Sequence, residues 1–182
     1  DEVDNVAYGL AASNGRLFVS TASGAIHCYA AKSAGQPIVH RAKPTTEGAY
    51  ARNEQTAQAA VEILKRSNIT AGYCVDLGCG DGSLAYELAT QSDLFIVAID
   101  ADAANVETAR RKLDAAGLYG SRVTVHHADP ADLHLPKYFA NLVVSNRSIS
   151  EGRGVVDAGE LTRLQRPFGG VACLGTPGTM TV

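Results

Sequence analysis

The chain has no apolar run approaching the roughly 20 residues that a membrane-spanning helix needs, so no helical span and no membrane partner is expected. It also lacks a basic balance. A net charge of -3 leaves no overall field to draw in nucleic acid or anionic lipid, and nucleic acid is not expected as a partner. The 4 cysteines, Cys28, Cys74, Cys79 and Cys173, are scattered singly. Without CxxC pairs they predict free thiols, neither a zinc site nor a disulfide scaffold, and no metal is expected. Asp1 is not preceded by a methionine or by a basic-then-apolar leader, so a piece of a longer parent chain is expected. What is present is globular: 46% apolar and 19% charged residues in a length of 182. That suits one domain with a small appendage.

The first 31 residues form a pattern of their own. Short β-prone runs, Gly9–Ala12, Leu17–Ser20 and Ala25–Tyr29, alternate with turn signals at Asn14-Gly15 and Ser23-Gly24. Asn-Gly between apolar runs is a strong hairpin signal. A three-stranded meander is therefore expected over residues 1–31. Residues 32–49 are rich in Gly, Pro, Ser, Thr and charge, a linker composition. Tyr50–Ser67 predicts a helix whose inner face carries Ala57, Ala60, Val61 and Leu64.

Beyond it, strand and helix alternate. Strands are expected at Tyr73–Leu77, Leu94–Ile99, Val123–His127, Leu142–Ser145 and Val171–Gly175, and helices at Ser83–Thr90, Ala103–Ala116 and Gly159–Gln165. The apolar face of the second of these helices is Val106, Ala109 and Leu113, and Gly117 stops it. Unalternated apolar strands separated by helices mean a mostly parallel sheet covered on both faces. The fold class is thus α/β, doubly wound, over residues 50–182.

In "YCVDLGCGDGSLAYELA" a glycine turn follows the first of these strands. At that place in a doubly wound sheet, turn amides and a helix N-terminus face a ligand crevice. Gly78, Gly80 and Gly82 fall as GxGxG, not as the GxGxxG that tightens around a pyrophosphate. Asp76, two residues ahead, would repel a pyrophosphate but suits a ligand with a cationic amino group. A nucleoside joined to an amino acid meets that description.

"VDLGCGDG" resembles motif I of the class I S-adenosylmethionine-dependent methyltransferases, and the chain from about residue 50 is similar to that family in order. The resemblance implies a Rossmann-like fold, S-adenosylmethionine as cofactor and methyl transfer to an acceptor. It places Asp76 near the methionine moiety, with Gly78, Cys79, Gly80 and Gly82 lining the cofactor. Asp100, followed by Ala101, would take the ribose hydroxyls, Asp129 the adenine amino group, and Asn146 would lie beside the transferred methyl. Asn146, Arg147 and Glu151 are the catalytic candidates on the loop after the fourth strand. The Asp/Asn/Ser-Pro-Pro-Tyr/Phe motif of amino-methylating enzymes is absent there, which favours a small-molecule or protein acceptor over nucleic acid. Asn141 stands where the family often has aspartate. The family usually continues through two more strands, so the remaining domains of a parent chain, or an oligomer, are expected at the exposed sheet edge. Residues 3–30 separately resemble one blade of a quinoprotein-like (PQQ-like) β-propeller.

Several residues have plainer expectations. Asp102 is a helix N-cap; Arg110, Arg111 and Lys112 form a solvated basic face. His126 and His127 are expected to point one inward and one outward. Two competing functions are weighed: a non-catalytic binding or assembly module of a propeller-containing parent, and a nicotinamide-dependent dehydrogenase, whose glycine spacing differs. Dependence on S-adenosylmethionine suggests the cytoplasm, whereas a propeller parent would suggest export.

Overall fold

The computed structural model describes residues 6–31, 38–39, 50–51, 53–152, 158–176 and 179. Its contacts separate two compact units, Asp1–Lys43 and Pro44–Val182. Most of the linker expected over residues 32–49 lies outside the described residues, as do Val182 and the residues just before it. Among the described residues no helix is long and apolar enough to cross a membrane.

The first unit is the expected meander. Strands β1 (Ala7–Ser13), β2 (Arg16–Thr21) and β3 (Ile26–Ala30) pair antiparallel in the order β1-β2-β3. Asn14 and Gly15 turn the first hairpin with φ of 49° and 69°. Two positive φ values in a two-residue loop are what the right-handed twist of the strands requires.

The second unit holds a five-stranded parallel sheet of order β6-β5-β4-β7-β8. Its strands are β4 (Ala71–Leu77), β5 (Asp93–Asp100), β6 (Val123–His127), β7 (Leu142–Val144) and β8 (Val171–Cys173). Helices α1 (Glu54–Ser67), α2 (Ser83–Gln91) and α3 (Ala103–Ala115) supply Ile63, Leu84, Leu88 and Leu113 to one core, against Cys74, Ile96, Val125 and Leu142. The alternate strand residues Val75, Leu77, Ile99 and Val143 face a second core, closed by Leu164 of α5 (Ala158–Leu164) and by Leu133, Leu135 and Phe139. Period-two alternation thus splits each apolar strand between two buried layers.

Two expectations are corrected. Helix α1 begins at Glu54, capped by the side chain of Asn53, and buries Thr56, Ala59, Ala60, Ile63 and Ser67. Val61, assigned to the inner face, is 55% exposed. An alanine-rich helix offers two adjacent stripes, and the sheet takes the one centred on Ile63. The loop expected after the fourth strand is a short helix, α4 (Asn146–Glu151). Ser145 Oγ caps it by accepting from the Ser148 N–H, and Gly152, at φ 66°, stops it. Both signals are legible in "SNRSISEG", since Ser is a favoured N-cap and Gly a favoured stop.

Candidate functional site

From β4 the chain winds outward through β5 to β6, then returns to lay β7 on the opposite side of β4. Ligands of open α/β sheets bind at such a reversal, outside the carboxyl ends of the strands. Asp76, the glycine turn, Asp100 and Asn146 meet there.

The turn is fixed from both sides. The N–H groups of Gly78 and Cys79 donate to the Ile99 carbonyl at 2.8 and 2.9 Å. The Gly80 N–H donates to Asp100 Oδ2 at 2.8 Å. From α4, the Arg147 N–H donates to the Gly78 carbonyl at 3.1 Å, and Asn146 Nδ2 donates to the Cys79 carbonyl at 3.1 Å. A Cβ on Gly80 would lie 3.0 Å from Asn146 Nδ2, and one on Gly82 would lie 2.8 Å from the Tyr50 hydroxyl. With φ of 56° and 80° as well, these two positions admit little but glycine.

Asp76 is fully buried. Its Oδ1 accepts from the Asn146 N–H at 2.9 Å, while Oδ2 has no partner among the described residues. Burial pushes the carboxyl up to about 7; the Asn146 N–H opposes that shift, and the charge of Asp100 adds to it. Desolvation outweighs a single charge-assisted hydrogen bond here, as expected for a carboxylate with no cation beside it. Asp100 is almost as buried but richly partnered. Besides Gly80, its Oδ1 accepts from the Asp102 N–H at 2.9 Å and from Asn105 Nδ2 at 3.3 Å.

The remaining candidates sit further out. Ala101 is exposed, and its carbonyl lies 3.0 Å from His127 Nε2. Asp129 is exposed and accepts from the Ala131 N–H at 2.9 Å, within its own turn. The Ala128 N–H, bonded to the Asp100 carbonyl at 3.1 Å, keeps that segment beside the end of β5. Arg147 and Glu151 form an exposed ion pair on α4 at 3.1 Å, so neither is a free charge aimed at the turn. Burial pushes the Cys79 thiol up, which keeps it neutral.

Tyr50, Lys112 and Arg110, to which the sequence pattern gave no part in the site, complete the frame. Tyr50 donates its hydroxyl to the Asp81 carbonyl at 2.8 Å and stacks on Tyr86 at 4.6 Å. Lys112 Nζ lies 2.6 Å from Asp81 Oδ2. The basic run is therefore not a simple solvated face, because Arg110 also holds the Val125 carbonyl at 2.7 Å. Only Arg111 of the three remains largely in water, beside Glu107. His126 and His127 are both exposed, at the end of β6, an edge strand of the sheet, and not one inward and one outward. Asp102 caps α3 as expected, accepting from the Ala104 N–H.

This geometry fits a nucleoside carrying a cationic amino acid. The fully buried oxygen, with no partner among the described residues, calls for a positive donor. Comparison with known proteins agrees. The methyltransferase domain family matches residues 74–167. A protein from Methanococcus maripaludis, described as an S-adenosyl-L-methionine-dependent methyltransferase, superposes with a TM-score of 0.59 at 30% identity over 66% of this chain and 54% of its own. A Galdieria sulphuraria protein described as a sarcosine dimethylglycine methyltransferase gives 0.55 at 18% identity, over 65% and 45% of the two chains. A cyclase named SpnF gives 0.54 at 23%, over 64% and 43%. The last two share the fold. No curated protein matches the chain. The chain spans about half the length of these solved structures. On the family match to residues 74–167 and the geometry at the ends of β4 and β5, the chain belongs to the methyltransferase domain family, in its class I, S-adenosylmethionine-dependent form.

Proposed function

We propose that the second unit binds S-adenosylmethionine and transfers its methyl group to a small-molecule or protein acceptor. The observation that carries this reading is the unpartnered, buried Oδ2 of Asp76 beside the glycine turn and Asp100. When bound, the cofactor supplies an electrophilic methyl group on a sulfonium. Asp76 faces its amino-acid end, and Gly78, Cys79, Gly80 and Gly82 form the cradle. Asp100, with Ala101 after it, takes the ribose. Three donors already occupy Asp100; a carboxylate has about four acceptor sites, so the long Asn105 contact gives way to the second hydroxyl. Asp129 takes the adenine amino group, and Asn146 flanks the methyl.

The chain's part in the transfer is alignment, worth several orders of magnitude in rate when reacting atoms are held in contact. A base is needed only for an acceptor that must lose a proton. Arg147 and Glu151 answer one another, and the Asn146 amide is spent on the turn. The acceptor is therefore one that brings its own lone pair, or one whose base comes from elsewhere. The Galdieria relative's described small-molecule substrate supports a small acceptor.

The absence of a free base on α4 favours one second reading, a domain that binds S-adenosylmethionine without turnover inside a larger assembly. In either case residues 1–31 are a β-meander, 32–49 a linker and 50–182 the cofactor domain. The propeller resemblance rests on residue pattern alone, because the described meander has three strands where a blade has four. The β8 edge, outermost among the described strands, is a place for further parent domains or a second copy. A cytoplasmic setting would supply the cofactor.

Calorimetric titration with S-adenosylmethionine, S-adenosylhomocysteine and NAD tests this. Micromolar binding of both sulfur ligands, lost in Asp100→Ala and not shared by NAD, is expected. Binding of NAD alone would replace this reading with the dehydrogenase one, and binding with no methyl transfer across an acceptor screen would leave the non-catalytic module.

A further inference from the structure

We infer that Asp76 couples recognition of a cationic ligand at the glycine turn to the loss of a proton from its own carboxyl group. The inference rests on the cofactor reading above and adds to it a condition on ligand charge and pH.

The geometry is that of an acid without a counter-ion. Asp76 is fully buried at the carboxyl end of β4, with one oxygen on the Asn146 N–H and the other without a partner among the described residues. Among the described residues no cation faces it: Arg147, the one positive charge on α4, is exposed and paired with Glu151. The strand of Asp76 offers Cys74, whose thiol burial pushes up, and the turn offers Cys79, pushed up likewise. Strand β5 offers Asp100, a second carboxylate. Strand β7 contributes Val144 opposite it, and α4 contributes the neutral Asn146. A charge buried in such a shell is expensive, and the group keeps its proton instead. The value of about 7 agrees with that geometry.

An ammonium brought to Oδ2 reverses the balance. The O–H bond breaks, its electron pair stays on Oδ2 to face the cation, and the proton passes to the buffer. A ligand with no cation cannot drive this step. Asp76 therefore makes the site sensitive to the charge at the amino-acid end of its ligand.

The test is proton release measured by titration calorimetry in buffers of different ionisation enthalpy, from pH 6 to 7.5. S-adenosylmethionine and S-adenosylhomocysteine, which share the ammonium, should each release about half a proton at pH 7 and nearly one at pH 6, with affinity falling about tenfold per pH unit below 7. 5′-Methylthioadenosine, which has the nucleoside and thioether but no cation, should release none. Asp76→Asn, which keeps the acceptor for the Asn146 N–H, should bind the sulfur ligands more weakly and without release. Binding with no proton release, or release that Asp76→Asn or 5′-methylthioadenosine reproduces, overturns this inference and leaves the cofactor site standing. No binding of either sulfur ligand at any pH overturns both.

Discussion

Asp76 and Asp100 end neighbouring parallel strands, yet they live under opposite conditions. Asp100 has three donors on its two oxygens, and Asp76 has one. The Gly80 N–H goes to Asp100 and leaves Asp76 with only the α4 amide. Burial with a single donor sets Asp76 apart: Asp100 organises the turn through its bonds, and Asp76 holds a proton near neutrality. A binding site thereby keeps one acid ready to exchange its proton without loosening the frame beside it.

The sharpest way to break this contrast is at Asp100. Asp100→Ala removes the acceptor of the Gly80 and Asp102 N–H groups together. A stability loss of about 2–3 kcal/mol is expected from bonds to a charged group, with at least a hundredfold weaker S-adenosylmethionine binding. Thermal unfolding and calorimetry read the two effects. A variant that keeps its affinity would show that the ribose is held elsewhere.

Asp76→Asn should move stability the other way. The folded-state value lies above the ordinary 3.8, so this group's contribution is fully present below about pH 4 and lost as pH rises through about 7. The shift corresponds to ~4 kcal/mol at most, part of which an unpartnered amide takes back, at ~1–3 kcal/mol. The ligand-free variant should therefore be ~1–3 kcal/mol more stable than wild type at pH 8 and should lose that advantage by pH 5. Denaturant unfolding at the two pH values checks it. Equal pH slopes for the two proteins would mean that Asp76 is ionised throughout.

Gly80→Ala probes the link between the acids. A left-handed φ and the Asn146 amide at 3.0 Å predict a loss of about 1–2 kcal/mol and roughly tenfold weaker binding, since 1.4 kcal/mol is a factor of ten. The smallest change is expected at Lys112→Met. Its pair with Asp81 is 40% exposed on each side, so only ~0.5 kcal/mol is at stake. That loss should vanish at high salt.

The contrast itself was half legible in the sequence. The GxGxG spacing, the acid near the end of each strand and the α3 face of Val106, Ala109 and Leu113 follow from local pattern. What a pattern could not show is who donates to whom. The Asn146 amide that meets Asp76 lies 70 residues away in the chain, and the Tyr50 hydroxyl lies 31 from its partner. Helix α4 was missed although its cap and stop are written in Ser145 and Gly152, because a six-residue helix has too few apolar residues to display a period. The inner face of α1 was misplaced for the opposite reason. Alanines fit any stripe, and only the sheet decides.

Tyr50 has an optical consequence. The chain has 7 tyrosines and no tryptophan, so its ultraviolet emission is tyrosine emission alone. One of those rings is hydrogen-bonded through its hydroxyl to the carbonyl of Asp81, inside the glycine turn, and lies face to face with Tyr86. A ligand that displaces that carbonyl would alter the phenol's emission and its near-ultraviolet dichroism. The protein thus carries a built-in, label-free signal at the point where its ligand would arrive.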